Sequence, residues 1–188
     1  MLYRIQMGIL LVLGLLISYQ LQAQNLPLGE RTLSLIDNKG QTHPVATLRF
    51  EQADKDQVRY TLDLDHHRFT DHFLSMKEMK CVQGDELWCF VPYPYQNPRR
   101  ISDTDLRWLE HDLLFLFKRN GEFGANFWNG IYYKLELRDG LLEGEARALD
   151  LNLLASPPEG LRQPPIGEFD LDEADLEQRW IPRIRIHP

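Results

Sequence analysis

Apolar and polar residues alternate along most of this chain, and the alternation sets the elements it predicts. Over residues 57–65, Val58, Tyr60, Leu62 and Leu64 share one parity, while Arg59, Thr61, Asp63 and Asp65 share the other. That period of two marks a half-buried antiparallel strand. Residues 31–36 and 45–52 read the same way, separated by the turn formers Asp37-Asn38-Lys39-Gly40, with Asp54-Lys55-Asp56 making the next turn. Residues 74–82 and 87–92 read as a further pair about Gly84-Asp85. Asn129-Gly130 and Asp139-Gly140 are two-residue hairpin signals, because a type I′ turn needs positive φ at both central positions.

The period changes once. Leu106, Leu109, Leu113, Leu116 and Phe117 recur at three- and four-residue spacing behind Ser102-Asp103-Thr104-Asp105, and Lys118-Arg119 follow at the far end. This predicts one amphipathic helix over about 103–118, with the contiguous apolar run 113–117 as the place where a strand would compete. Residues 155–167 hold four prolines and two glycines and read as a connecting loop. A short helix is expected over 172–179, and a final edge strand over 180–187. The fold class that follows is mainly β (α+β): an antiparallel meander sheet forming a partly closed barrel or sandwich, with the 103–118 helix packed on it.

The amino terminus has its own pattern. Arg4 precedes the apolar run Met7–Ile17, and a polar stretch ends at Ala23. This is the layout of a secretory signal, and 11 apolar residues are too few for a span needing about 20. The expected organisation is a signal peptide at 1–23 and a single globular domain at 24–188. The expected location is periplasmic or secreted, with no stable membrane span after cleavage. Cys81 and Cys89, placed symmetrically about Gly84-Asp85, fit a disulfide in an oxidising compartment.

Charge and motifs narrow the function classes. The formal charge is −7, and no basic stripe is present, which argues against a nucleic-acid partner. Serines are few, none lies in G-x-S-x-G, and no glycine-rich phosphate loop is present. No cofactor and no metal are expected. Glu110-His111-Asp112 reads as a polar helix face. Asp65, His66, His67 and His72 form the one cluster with ligand-type side chains, at a spacing that matches no metal motif.

Aromatic residues crowd one region. Twelve of the 18 Phe, Trp and Tyr residues beyond Ala23 fall between Trp88 and Tyr133. Within it, 92–100 carries three prolines and is expected to display Tyr93 and Tyr95 beside Arg99 and Arg100. Segment 123–130 offers Asn126 and Trp128. Aromatic faces with amide and guanidinium donors suit a ligand pocket. The function expected is an exported cell-envelope protein that binds, without catalysis, an anionic or carbohydrate-like ligand or an envelope protein through these two segments. The alternative is a metal-dependent or carboxylate-based periplasmic enzyme using Asp65, His66, His67 and His72. Free-thiol titration of the oxidised, denatured protein should find no reactive thiol; two per chain would contradict the Cys81–Cys89 bridge.

Overall fold

The computed structural model describes residues 26–74 and 78–188; the expected leader lies outside them. Three strands open the described chain as a meander: β1 (Gly29–Ile36), β2 (Thr42–Asp54) and β3 (Gln57–Leu64). A single 3₁₀ turn at His66–Arg68 leads to β4 (Thr70–Phe73), β5 (Glu78–Gln83) and β6 (Glu86–Val91). After the proline-rich stretch come the short β7 (Arg100–Ile101), the one-turn helix α1 (Arg107–His111) and β8 (Leu114–Arg119). The chain then forms β9 (Gly130–Arg138), β10 (Leu141–Leu149), the three-residue β11 (Leu171–Glu173) and β12 (Arg183–His187).

All pairings are antiparallel and belong to one sheet, in the order β4-β5-β6-β8-β9-β10-β12-β1-β2-β3-β7, with β11 added alongside β10. The sheet is not closed: β4 and β7 are its ends. One face of it nonetheless serves a single core, which gathers Trp88 and Phe90 from β6, Phe115 from β8, Tyr133 from β9, Leu33 and Leu35 from β1, and Phe50 and Tyr60 from β2 and β3. Cys81 and Cys89 lie directly opposite each other across β5 and β6 and are joined as a disulfide. Asp139 and Gly140 adopt φ of 50° and 76°, the two positive values the β9–β10 hairpin requires.

Five expectations about the elements are corrected. The 103–118 helix shrinks to the five residues of α1, and its second half is strand β8. The reason is burial on both faces: Phe115 packs in the main core, whereas Leu114 and Leu116 enter a second cluster with Tyr132, Leu149, Leu151, Leu154 and Ile166. A strand covered on both sides is apolar at every position, which also satisfies a helical template. Ser102 does not cap a helix; its hydroxyl accepts from the Asp105 N–H at 3.0 Å within a tight turn. Asn129-Gly130 is not a hairpin turn, since Asn126 caps a 3₁₀ turn at Phe127–Asn129 and Gly130 opens β9.

The carboxyl-terminal segments also differ. Residues 172–179 form no helix, and their start pairs with β10 as β11. Strand β12 is central rather than an edge, joining β10 to β1. Pro182 sits just before its ladder, so no strand hydrogen bond is lost there, and the proline carbonyl accepts from the Ala146 N–H at 3.0 Å.

The β5–β6 turn is locked by contact. A Cβ on Gly84 would lie 2.1 Å from the ring of Trp180, itself buried. Gly84→Ala should therefore destabilise by about 2–3 kcal/mol, the usual cost of overpacking, and lower Tm by roughly 5–10 °C. Gly160→Ala, which meets nothing within 4 Å, should stay within about 0.5 kcal/mol of wild type. Equal melting of both variants would contradict the close approach of Gly84 to Trp180.

Candidate functional site

Strands β8 and β9 pair at only two positions, Phe115–Ile131 and Leu116–Gly130. Beyond Ile131, β9 runs on for seven residues while the chain preceding β8 is the turn of α1. A gap opens between them. It forms a cleft of about 560 Å³, lined on one side by Asp103–Arg107 and Glu110, on the other by Tyr132 and Lys134–Leu137, and over the top by Ile166–Glu168 and Leu171.

Glu110 joins the two walls. Its Oε1 accepts the Leu135 N–H at 2.7 Å and its Oε2 accepts the Tyr132 hydroxyl, with the residue 4% exposed. Burial pushes the Glu110 carboxyl above its ordinary range, against the pull of those two donors. Burial and the adjacent carboxylate likewise push the Tyr132 phenol far upward, so it stays a donor. At the mouth, Asp105 holds Arg107 through two bonds of 2.9 and 2.7 Å, and Lys134 pairs with Glu168. The Arg107 hydrogen bonds keep the Asp105 carboxyl below its usual range.

The neighbours of Glu110 anchor α1 behind the cleft. His111 is wholly buried; its Nδ1–H donates to the Arg107 carbonyl at 2.7 Å and its Nε2 accepts the Ile166 N–H at 3.2 Å. Both nitrogens are used by the neutral ring, and burial lowers its pKa to about 4. Asp112, pushed up by burial, meets the Tyr60 hydroxyl at 2.9 Å and the Arg99 Nε at 3.4 Å. Glu110-His111-Asp112 is thus a buried polar island and not a polar surface face.

The sequence-predicted residues fall elsewhere. Tyr93 is buried in the second cluster against Trp108 and His111, which corrects its expected display; Tyr95 is half-buried and donates to the Leu154 carbonyl at 2.7 Å. Arg99, at φ 52°, braces Asp112, and Arg100 pairs with Asp54 at 2.8 Å. Segment 92–100 therefore backs the helix: Asn97 Nδ2 donates to the Trp108 carbonyl at 2.9 Å. In 123–130 the rings are displayed, Phe123 fully and Trp128 largely, while the Asn126 side chain accepts the Trp128 N–H at 3.2 Å.

The Asp65–His72 segment does not converge on a point. Asp65 accepts the His67 N–H at 3.1 Å as a turn cap, His66 and His67 are exposed, and His72 meets the Thr70 hydroxyl at 3.1 Å. Among the described residues no group of three His, Cys, Asp or Glu side chains is arranged to hold a metal ion. A pair missed in the sequence is His43, whose Nε2–H donates to buried Asp37 at 3.0 Å beside a smaller pocket that His67 and Arg68 also line. Asp37 reads locally as a turn former, and only the six-residue spacing to His43 hints at the dyad.

No protein family, curated protein or solved structure matches this chain.

His111 gives the site a pH signature. Its folded pKa lies below the unfolded value of about 6.5, so the unfolded chain binds the proton more readily between the two values. Stability tied to this group is full above pH 6.5 and is lost on acidification, by about 2 kcal/mol between pH 7 and pH 5. Glu110 and Asp112 act with the opposite sign, their raised values favouring the folded state toward low pH. The difference between wild type and His111→Gln isolates the imidazole. Urea unfolding at pH 7 and pH 5 should show a fall about 2 kcal/mol smaller in the variant; parallel falls would contradict a neutral, buried His111.

Proposed function

We propose that this is an exported, non-enzymatic binding protein of the cell envelope, and that the cleft between α1 and β9 is its ligand site. The observation that carries the reading is a roomy cleft whose deeply buried carboxyl, Glu110, has both oxygens engaged by the protein itself. A carboxyl so held serves as a tie between walls rather than as a proton shuttle, and Asp65, His66, His67 and His72, on which the enzyme alternative rests, are spread over a turn and β4 with local partners. Segment 92–100 then supports the cleft from behind, and 123–130, with Asn126 and Trp128, offers a second, aromatic contact surface. The signal-like residues 1–23 and the Cys81–Cys89 bridge support the periplasmic or secreted location. The single shared core supports a sheet curled into a partly closed barrel.

The cleft favours a cationic ligand, in place of the anionic one expected from Arg99 and Arg100. Its lining carries the carboxyls of Asp103, Asp105, Glu110, Glu136 and Glu168 against Arg107 and Lys134, which pair with Asp105 and Glu168; Glu136 pairs with Arg138 beside the cleft, and the carboxyls remain in excess. Like-signed groups in one cleft attract the opposite charge, most strongly at low salt. Calorimetric titration with spermidine should show binding that weakens at least tenfold in the double variant Asp103→Lys, Glu136→Lys, with Tm little changed. Absence of binding to wild type, or equal affinity in the variant, would contradict this assignment.

A further inference from the structure

The wall of the cleft formed by β9 is a strand edge. The Arg138–Leu141 pair closes a two-residue hairpin and is therefore hydrogen-bonded, so bonded and non-bonded pairs alternate along β9 and β10 from there. Leu137–Leu142, Leu135–Gly144 and Tyr133–Ala146 fall at non-bonded positions. The main-chain groups of Leu135 and Leu137 must then point away from β10, into the gap. Two contacts agree with that phase: the Leu135 N–H reaches Glu110, and the Ala146 N–H on the other side of β10 reaches Pro182.

What remains at the gap is unpaired. Among the described residues no strand pairs with β9 beyond Ile131 on the side away from β10, and neither the Leu137 N–H nor the Leu135 and Leu137 carbonyls take a main-chain partner. Leu135 and Leu137 line the cleft although their side chains pack in or against the main core, so the cleft meets their backbone. Side chains of alternate parity, Lys134 and Glu136, flank that edge, with Asp103 and Asp105 opposite. The sheet's two end strands offer less: β7 has two residues and β4 four.

We propose that the ligand of this cleft is an extended, lysine- or arginine-bearing polypeptide segment that adds as a strand along Leu135–Leu137. This rests on the cleft being the ligand site and names its occupant. Main-chain bonds to the Leu137 N–H and to the two carbonyls supply the register, and the surplus carboxyls select basic side chains on the incoming strand. Such a segment bonds to β9 through alternate residues only, because every second residue turns its N–H and carbonyl away.

That alternation gives the test. Calorimetry would use the acetylated, amidated pentapeptide Lys-Val-Lys-Val-Lys, two derivatives N-methylated at either the lysines or the valines, and spermidine. We expect the parent peptide to bind, one methylated derivative to weaken at least tenfold, and the other to stay within about threefold. Leu137→Pro, which removes an N–H that β10 does not use, should weaken the parent peptide at least tenfold and leave spermidine binding unchanged. If both methylated derivatives bind like the parent, strand addition is overturned and the cleft stands as a site for cationic side chains or amines. If neither the peptide nor spermidine binds, the cleft reading itself is overturned. The peptide comparison does not depend on the variant folding.

Discussion

Strands β8 and β9 part company after two pairs, and from that point the carboxyl of Glu110 stands where a neighbouring strand would be. It accepts the Leu135 N–H that β8 does not reach, and with its other oxygen it takes the Tyr132 hydroxyl from the opposite face of the same strand. A buried, unmet N–H costs roughly 1–3 kcal/mol, and a buried unmet carboxylate more. Each group therefore removes the other's penalty. Once α1 is fixed to β9 in this way, the cleft, the free edge beyond Leu135 and the burial of His111 are consequences of where the helix turn must sit.

The surroundings are organised to hold that turn. Tyr93 and Trp108 pack around His111, Asn97 and Tyr60 reach the Trp108 carbonyl, and Arg99 leans on Asp112. The Ile166 N–H closes the far side through His111. Five residues of helix are too few to be stable alone, so tertiary contacts supply its stability. Helix, proline-rich segment and 155–167 loop thus depend on one another, and the sheet's second face at β8–β10 is covered by the same assembly. The disulfide and the Gly84–Trp180 contact fix a different corner, between β5, β6 and the approach to β12.

Much of the sheet is legible in the sequence because its determinants are local. Val58 to Leu64 alternate, and Asp139-Gly140 demands positive φ; neither needs a distant partner. The 113–117 run was ambiguous because its second covering layer, Leu151, Leu154 and Ile166, comes from residues more than 30 positions away. The site was less legible still. Glu110-His111-Asp112 looks like a solvated face, and only Tyr132, Leu135, Ile166 and Tyr60 make burial of all three tolerable. A usable signal was present: three consecutive charged or titratable residues between Trp108-Leu109 and Leu113–Phe117 form a polar island in the most apolar part of the chain. Prolines in 92–98 excluded a central strand, but they say nothing about exposure, and Tyr93 packs inward.

The central claim is that a side chain replaces a strand at Leu135 and leaves the next outward-facing amide bare. Residue-resolved hydrogen exchange on the unliganded protein measures this directly, since exchange reports whether each N–H has a stable acceptor. The account predicts a Leu135 amide protected in wild type and exposed to rapid exchange in Glu110→Ala, alongside a Leu137 amide that exchanges rapidly in both. Comparable strong protection of Leu135 and Leu137, unaffected by Glu110→Ala, would mean that main chain already occupies this edge and would contradict the account.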